Sequence, residues 1–449
     1  MFADSICQTA RLSRDKRFDG LFYVAVRSTG IYCRPICPAP PAKESNVQYF
    51  EHAHQASQAG FRPCLRCRPD ASPGSYPWLG AQTTALRAKQ LIDQGHFSNG
   101  DAQQLSDRLG VSSSYLNQLF KRHYGIAPGQ YALFNQCQFA KQLLQQTNLK
   151  IADIAFASGF NSVRRFNDAF KKTLQLTPSE IRKTHKQSAE NIRLFLSVRP
   201  PFNWPAMLAF LAKRVITPLE WVGDNLYGRT FTFRDSKGQF EVRFDDDKQG
   251  FWVDITLDNW QHLQGVVANI RRLLDVDADS QVINAQIEKA LDKQCELVQG
   301  LRLPGIWDPY EAGIRAVLGQ QVSVAAAREL CTLLVKQLGE NGHYFPTPTV
   351  VAQDELAFFK MPARRKQAIK DLSAFVVEHG CDNLDDWLVI KGIGPWTVDY
   401  AKMRGTSDPD IYLGGDLGVK KALNAVENFD ALKASPFRSY LTFQLWQKL

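Results

Sequence analysis

The stretch that decides the fold of the second half of the chain is Val389-Ile-Lys-Gly-Ile-Gly-Pro-Trp-Thr-Val-Asp-Tyr400. A Gly-Ile-Gly turn is followed by a proline, which is favoured in the first turn of a helix. The pattern is typical of a helix-hairpin-helix, in which the backbone at Gly392, Ile393 and Gly394 approaches a DNA phosphate without an obstructing side chain. Alone, the motif indicates DNA binding without sequence preference, which many proteins that are not enzymes also show.

A single aspartate follows the hairpin, in Tyr412-Leu-Gly-Gly-Asp-Leu-Gly-Val-Lys-Lys421. An aspartate at the start of a helix is most often only an N-cap. Its place after the hairpin, however, is similar to that in the helix-hairpin-helix, Gly/Pro-Asp superfamily of DNA glycosylases. The resemblance implies that Asp416 is catalytic.

Further segments resemble bacterial 3-methyladenine DNA glycosylase II. They are Pro200–Trp204, Leu208–Phe210, Leu301–Gly305, Gly313–Ala325 and Phe345–Pro348, so the resemblance spans residues 197–449. It implies an enzyme that excises alkylated bases such as 3-methyladenine by hydrolysis of the N-glycosidic bond. An alkylated purine is already cationic, so an anion near the sugar helps as oxocarbenium character develops.

The same resemblance assigns the base pocket. Electron-poor bases stack well on aromatic rings, and Trp396, Tyr400 and Phe210 match the family's pocket aromatics. Leu417 replaces a pocket tyrosine. Gln321 stands where the family has an apolar wedge that fills the gap left by the flipped base.

The resemblance also predicts a glycosylase without lyase activity. Lyase members of the superfamily carry a lysine where this chain has Trp396, and tryptophan cannot form a Schiff base. Lys391 lies earlier on the hairpin, where we expect it to meet phosphate. No cysteine follows Leu423, so we expect no iron–sulfur cluster.

Two close cysteine pairs lie near the start of the chain, Cys33-x3-Cys37 and Cys64-x2-Cys67. Four thiolates are enough for a closed tetrahedral Zn²⁺ site, and a purely structural zinc is the commoner use of such a set. The remaining cysteines are scattered, and we expect ordinary thiols there. The pairs therefore predict one bound zinc.

The surrounding sequence gives the zinc site a further role. Gly20–Pro35 and Ala59–Cys67 closely resemble the N-terminal sensor of bacterial Ada-type adaptive-response proteins. The resemblance implies that Cys33 irreversibly takes a methyl group from a methylated backbone phosphate, since a zinc-bound thiolate is a nucleophile. Methylation changes the charge of the site from −2 to −1 and weakens its repulsion of DNA. Thr29, Arg62 and Arg66 are expected to lie near the phosphates.

An internal repeat lies between these parts. Leu-Phe-Lys-Arg-His-Tyr-Gly-Ile-Ala-Pro ends at Pro128, and a similar run ends at Pro178. Each copy predicts a helix, a Gly turn and a second amphipathic helix, with Ser112 as the N-cap of the second helix in the first copy. Two helix-turn-helix units can enter successive major-groove faces.

The repeat resembles the AraC-type DNA-binding domain over residues 83–185. In the second copy we expect Ile154, Phe160, Phe166 and Phe170 in the core, whereas Arg164 and Arg165 project from the reader helix. Gln175 stands where the first copy has Gly125, and it departs from the family there.

The overall prediction is a multidomain α+β chain. A small zinc-binding domain with four cysteine ligands covers 1–75, and an all-α double helix-turn-helix covers 81–187. A glycosylase αβ lobe covers 193–300, and an all-α helix-hairpin-helix catalytic lobe covers 301–449. The turn-rich run Ser72–Pro77 and the polar segment Lys183–Asn191 mark the predicted boundaries. In the αβ lobe, Phe231–Phe233, Phe240–Phe244 and Trp252–Leu257 are predicted strands, the first two separated by Ser236–Gly238.

The net charge of +9 is unevenly placed. Residues 1–190 hold 24 Lys and Arg against 13 Asp and Glu, whereas the remainder holds 30 against 32. Such an excess indicates either a polyanion partner or a solubilising surface. We expect double-stranded DNA as the partner, with RNA polymerase as a candidate second partner of a regulator.

No run approaches the roughly 20 apolar residues of a membrane span, and the N-terminus has no apolar signal core. We therefore expect a cytoplasmic, nucleoid-associated bacterial protein with no membrane partner.

Three functions stay open at this point. The chain is a bifunctional regulator and repair enzyme, an enzyme that its front parts only deliver to DNA, or a regulator with an inactive glycosylase lobe. Asp416, Trp396 and Tyr400 argue against the last. The Pro-Cys-His-Arg motif of the O6-alkylguanine transferase that some Ada proteins carry is absent from the sequence.

Overall fold

The computed structural model describes residues 2–15, 18–70, 81–93, 95, 97, 102–182, 192–291, 296–424, 426 and 429–448. The chain forms two compact units, one of Met1–Ile92 with Asp101–Tyr131 and one of Asp93–Gly100 with Ala132–Leu449. The predicted boundary segments Ser72–Pro77 and Lys183–Asn191 lie outside the described residues. No helix in the described ranges is long and apolar enough to cross a membrane.

The first unit begins with a small sheet between two helices. Helix α1 (Asp4–Ser13) precedes strands β1 (Tyr23–Val26), β2 (Ile31–Cys33) and β3 (Val47–Phe50), and α2 (Ala53–Gln58) precedes β4 (Arg62–Pro63). The strand order is β3-β1-β2-β4, with β2 and β4 parallel. Alternate side chains of β1 bury on opposite faces, Val24 with Cys7 of α1 and Ala25 with Ala56 of α2.

The first helix-turn-helix copy completes this unit. Helices α3 (Ala81–Asp93), α4 (Ala102–Leu109) and α5 (Ser113–Tyr124) follow one another. Ser112 Oγ accepts a hydrogen bond from the Tyr115 amide at 3.3 Å, which confirms the predicted N-cap.

The second copy belongs to the second unit and follows the same plan. It comprises α6 (Pro128–Gln146), which the division between the units crosses, then α7 (Ile151–Ala157), α8 (Val163–Leu174) and α9 (Pro178–Ile181). Ser162 caps α8 as Ser112 caps α5. Ile154, Phe160, Phe166 and Phe170 are buried, as predicted.

Gln175 has the same backbone conformation as the glycine at the matching position of the first copy. Its φ of 58° and that of Gly125, 72°, both lie in the left-handed region. Each amide donates to the carbonyl four residues earlier, at 2.9 Å and 2.8 Å respectively, and so ends its helix. The departure from the family therefore leaves the turn intact, at the cost of a non-glycine residue in a strained conformation.

A five-stranded antiparallel sheet comes next in the second unit. Its strands are β5 (Ile192–Ser197), β6 (Glu220–Gly223), β7 (Leu226–Phe233), β8 (Ser236–Asp245) and β9 (Gly250–Leu257), in the order β5-β9-β8-β7-β6. The predicted strands are confirmed.

The separator placed at Ser236–Gly238 is wrong, because the turn is formed by Arg234 and Asp235. Arg234 has a φ of 58°, and Phe233 pairs with Ser236 across the hairpin. Gly238 lies inside β8. Glycine is required there because a Cβ would collide with the carbonyl oxygen of Thr256.

Helices complete the second unit. They are α10 (Trp204–Ala212), α11 (Leu263–Leu274), α12 (Ser280–Leu291), α13 (Pro309–Leu318), α14 (Val324–Leu338), α15 (Pro348–Gln353), α16 (Ala363–His379), α17 (Pro395–Ala401), α18 (Leu417–Leu423) and α19 (Arg438–Trp446). Short 3-10 turns lie at Trp260–His262, Glu340–Gly342, Leu384–Val389 and Ala431–Ala434, and a π-type turn at Lys402–Thr406. Although α10 and α12 precede residue 301, they share an apolar core with α18 and α19.

A buried ionic network joins the sheet to α13. Arg229 of β7 donates to Glu311 at 2.8 Å, and Arg315 donates to Glu220 of β6 at 2.9 Å. The Tyr227 hydroxyl also donates to Glu220. The charges are paired throughout, which offsets the desolvation that burial imposes on them.

Candidate functional site

Asp416 lies at the N-terminus of α18, where three donors converge on one of its oxygens. Oδ1 accepts from the amides of Gly418 at 2.9 Å and Val419 at 3.1 Å. It also accepts from Nε1 of Trp446 at 3.0 Å. Within the described part of the chain, Oδ2 accepts no hydrogen bond. Asp416 is therefore an N-cap and also a half-buried carboxylate with one oxygen available for a ligand.

The predicted pocket aromatics lie in or against one apolar cluster together with Trp446, the indole that donates to this carboxylate. Trp396 and Tyr400 lie one turn apart on α17, and their rings stack with centroids 5.4 Å apart. Phe210 of α10 is parallel to Trp446, at 6.5 Å between centroids. All of these rings belong to or pack against one apolar cluster. An electron-poor base can stack on the half-buried rings of α17.

Two arginines that belong to no recognisable sequence motif lie over Phe210. The guanidinium carbon of Arg214 is 3.7 Å from the ring centroid, and that of Arg404 is 4.8 Å from it. Arg404 also contacts the Tyr400 hydroxyl at 3.4 Å. Burial lowers the pKa of Arg214 to about 10, so its guanidinium stays protonated at neutral pH.

The hairpin between the 3-10 turn Leu384–Val389 and α17 offers backbone donors. Gly392 has a φ of 99°, which favours glycine. The amides of Gly392 and Gly394 donate no hydrogen bond to any other described residue. Ile393 is buried and anchors the turn. The hairpin can thus bind a phosphate through its backbone.

The loop between α13 and α14 is tied to this hairpin. Gln320 Nε2 donates to the Gly392 carbonyl and to the Thr397 hydroxyl, each at 3.2 Å. The next residue, Gln321, is exposed and left-handed, with a φ of 57°. The structure therefore places Gln321 at the tip of a loop that is fixed to the hairpin.

Leu417 differs from the other residues assigned to the pocket. It follows Asp416 directly, yet its side chain is 75% exposed and is not part of the apolar cluster around Phe210.

The four cysteines Cys33, Cys37, Cys64 and Cys67 form a second site, in the first unit. Cys33 ends β2 and Cys64 follows β4, so parallel pairing of these strands brings the two cysteines together. All four sulfurs lie within 4.8 Å of one another. Tetrahedral zinc with Zn–S bonds of ~2.3 Å requires sulfurs about 3.8 Å apart, so the cluster fits this ion.

Arg34 joins the two halves of this cluster, because it follows Cys33 and bonds to Cys67. Its amide donates to Cys67 Sγ at 3.3 Å, and its guanidinium donates to the Cys67 carbonyl at 3.1 Å. The guanidinium also pairs with Asp19, with Nε to Oδ1 at 2.8 Å. No short sequence pattern distinguishes an arginine with this role from any other arginine beside a four-cysteine motif.

The residues predicted to approach phosphates are all exposed. Thr29 lies in the turn between β1 and β2, Arg62 on β4 and Arg66 between the second pair of cysteines. The amide of Arg62 donates to the carbonyl of Gly30, next to Thr29. In the second unit, Arg164 and Arg165 lie exposed on the first turn of α8.

The class that these sites define is a DNA-repair protein with a zinc-thiolate centre and a helix-turn-helix reader. Family models match three parts of the chain: "Metal binding domain of Ada" at residues 6–70, "Helix-turn-helix domain" at 105–184 and "AlkA N-terminal domain" at 193–308. The "Probable bifunctional transcriptional activator/DNA repair enzyme AlkA" of Mycobacterium tuberculosis is 34% identical over 477 aligned residues, which cover 99% of this chain and 96% of that protein. The chain belongs to the family of this bifunctional enzyme.

Two relatives match separate parts of the chain. "DNA-3-methyladenine glycosylase 2" of Escherichia coli is 29% identical over 56% of this chain and 95% of its own length. The "Bifunctional transcriptional activator/DNA repair enzyme AdaA" of Bacillus subtilis is 33% identical over 39% of this chain and 82% of its own length. The predicted resemblances and the predicted fold class are confirmed.

Proposed function

We propose that this protein is a bifunctional transcription regulator and DNA repair enzyme of the alkylation response. It binds double-stranded DNA and releases alkylated bases such as 3-methyladenine by hydrolysis of the N-glycosidic bond. The names of its relatives support this function. The observation that carries the proposal is the carboxylate of Asp416, which is fixed through Oδ1 and open at Oδ2. Its donor Trp446 packs against the same apolar cluster as the stacked rings of Trp396 and Tyr400.

In the reaction, Trp396 and Tyr400 hold the flipped, cationic base by stacking. As the bond between base and sugar breaks, its electron pair goes to the base and positive charge develops on the sugar. The open oxygen of Asp416 stabilises that charge without reorganisation, because the three donors on Oδ1 already fix the carboxylate. Water adds to the sugar and leaves an abasic site. Since Trp396 cannot form a Schiff base, no strand cleavage follows.

The hairpin supplies the duplex contact for this reaction. The amides of Gly392 and Gly394, with Ile393 between them, bind a phosphate next to the damaged nucleotide. Gln321 fills the space that the flipped base leaves, and the hydrogen bonds from Gln320 to the hairpin position it. Leu417, in place of an aromatic ring, leaves the pocket roomier.

In the first unit, Cys33, Cys37, Cys64 and Cys67 would hold Zn²⁺, which would supply the charge that keeps their sulfurs deprotonated. The Cys33 thiolate attacks the methyl carbon of a methyl phosphotriester. A sulfur–carbon bond forms, the carbon–oxygen bond breaks, and the phosphate keeps the electron pair as an ordinary diester anion. The modified site repels DNA less, and Thr29, Arg62 and Arg66 then contact phosphates.

We assign these roles to domains at 1–75, 81–187, 193–300 and 301–449. In the regulatory state, reader helices α5 and α8 occupy the major groove, with Arg164 and Arg165 at the DNA, and RNA polymerase is the partner that activation requires. The alternative is that the front domains only deliver the enzyme to DNA. A promoter gel shift with methylated and unmethylated protein distinguishes the two, because only the regulator gains sequence-specific affinity on methylation.

The test of the enzyme is base release from methylated DNA by the full chain, with and without alkali. Asp416→Asn is expected to lower the rate on the order of 10²–10³-fold while leaving DNA binding nearly intact. Asp430→Asn is the matched control, because Asp430 also caps a short helix through Oδ1. If Asp416→Asn keeps more than about a tenth of the rate, the carboxylate is only a cap. Strand cleavage without alkali would contradict the absence of lyase activity.

A further inference from the structure

The second helix-turn-helix copy shares one continuous apolar core with the glycosylase sheet. Phe160 is 4% exposed and Phe166 and Phe170 are fully buried. They belong to the same cluster as Leu194 of β5 and Leu263 of α11. A core of this kind is the mark of a single folded body rather than of two domains on a flexible tether.

Two hydrogen bonds also connect the second helix-turn-helix copy to the edge of the sheet. β5 is an edge strand, and the outward N–H and C=O of Phe195 are both bonded by side chains of α6. The Phe195 amide donates to Gln146 Oε1 at 2.9 Å, and Gln142 Nε2 donates to the Phe195 carbonyl at 3.2 Å. The outward amides and carbonyls of an edge strand usually face water or another strand. Here two glutamines bond both groups of one residue, and these bonds fix the position of α6 against the sheet.

The cationic face of α8 is not covered by this packing against the sheet and stays exposed. Arg164, Arg165, Lys171 and Lys172 are exposed, against a single exposed acid on the helix, Asp168. Within the described ranges, none of the four cations forms a salt bridge. Such a surface is complementary to a polyanion.

We propose that α8 is part of the DNA-binding surface of the glycosylase itself, and that its occupant is the backbone of the duplex that contains the damaged base. The inference rests on the proposed function. α8 shares its core with the sheet, the buried Arg229–Glu311 pair joins the sheet to α13, and the hairpin lies in the same compact unit. Phosphates held by Arg164 and Arg165 therefore add to those held by the hairpin. The second reader helix thus serves base excision on DNA of any sequence, apart from any promoter reading.

The test uses Arg164→Ala with Arg165→Ala in the full chain, on methylated DNA of random sequence. KM for base release is expected to rise about fivefold or more, whereas the single-turnover rate at saturating DNA stays unchanged. The slope of log Kobs against log salt for duplex binding is expected to become shallower by about 1–2, since each lost phosphate contact contributes ~0.9.

The matched control is Lys289→Ala with Lys336→Ala, which removes two exposed positive charges from α12 and α14 of the same compact unit, outside the reader helices. It is expected to change KM less than about twofold. An unchanged KM and salt slope in the α8 variant overturn the inference, and so does an equal effect in both double variants. If the wild-type chain releases no base, the proposed function is wrong. The salt dependence of binding to undamaged DNA then still shows whether Arg164 and Arg165 of α8 contact phosphates.

Discussion

Trp446 donates a hydrogen bond from Nε1 to Oδ1 of Asp416, and the 3.0 Å contact joins the end of α19 to the start of α18. The indole is also parallel to Phe210. One residue therefore touches both the carboxylate and a ring of the predicted base pocket. Because Oδ1 takes all three donors, the orientation of the open oxygen depends in part on Trp446.

Trp446→Phe is expected to keep the ring contact and lose the donor. A hydrogen bond to a charged group contributes about 1.5–3 kcal/mol, so the single-turnover rate of base release should fall roughly tenfold or more, with little change in KM. The control is Trp252→Phe, because Trp252 Nε1 donates to Asp245 at 2.9 Å in the sheet. A rate equal to that of the wild type would show that the two amides alone position Asp416.

Purified protein is expected to hold one zinc ion per chain, bound by Cys33, Cys37, Cys64 and Cys67. Metal analysis should find close to one equivalent, and the metal should be lost when all four are replaced. Cys381→Ser is the control and should keep the zinc. Less than half an equivalent in the wild type, or zinc retained by the fourfold variant, would contradict the assignment.

Methyl transfer is expected to modify Cys33 alone when the protein meets DNA with methyl phosphotriesters. Cys64 and Cys67 are only 8% and 7% exposed, and Cys67 Sγ already accepts the Arg34 amide, whereas Cys33 and Cys37 are both half-buried. Of these two, the resemblance to the Ada-type sensor selects Cys33. Peptide mass mapping should place the methyl group on Cys33, and methylation should tighten specific DNA binding. A methyl group found on Cys37, Cys64 or Cys67 would show that another thiolate is the acceptor.

Glu311→Gln is expected to lower the free energy of unfolding of the second unit by about 3–5 kcal/mol. It leaves two buried arginines, Arg229 and Arg315, with the single carboxylate of Glu220 between them, and an unbalanced buried charge is costly. Urea denaturation followed by tryptophan fluorescence measures the loss. Glu340→Gln, which breaks the exposed pair with Lys237, should cost less than about 1 kcal/mol. Similar costs for both variants would mean that burial does not strengthen the network.

Gln175→Gly is expected to stabilise the second helix-turn-helix copy by about 0.5–1 kcal/mol. Glycine relieves the left-handed strain, although the hydrogen bond from Gln175 Nε2 to the Lys172 carbonyl is lost. Gly125→Ala in the first copy should destabilise by a similar amount. Thermal unfolding of the full-length variants compares the two, and a lower midpoint for Gln175→Gly would show that the side-chain bond outweighs the strain.

Local patterns were enough to predict the elements and the cysteine cluster, whereas the roles of Asp416 and the pocket aromatics are what the family resemblance implies. Ser112 as a cap, Phe166 in the core and the cysteine pairs all depend on spacings of a few residues, which the sequence displays directly. Trp446, Arg214 and Arg404 escaped prediction because each reaches the site through tertiary packing, from positions far from the hairpin. No short pattern encodes such contacts.

The hairpin between β7 and β8 shows a different source of error. The sequence pattern predicts a turn at Gly238, although in a strand glycine can also mark a close backbone approach. The actual turn at Arg234 and Asp235 carries no glycine, so composition pointed to the wrong place. Leu417 is a similar case. It follows the half-buried Asp416 in the sequence, yet its own side chain is exposed.

The bonds between Phe195 and the two glutamines of α6 also bear on how the enzyme can be dissected. An enzyme cut out at residue 192 would lose Gln142, Gln146 and the phenylalanines that cover one face of the sheet. Its bare edge strand would then be free to pair with the same strand of another molecule, which is a route to aggregation. The second helix-turn-helix copy thus covers an edge that could otherwise self-associate, and a catalytic fragment that keeps this edge covered begins before α6.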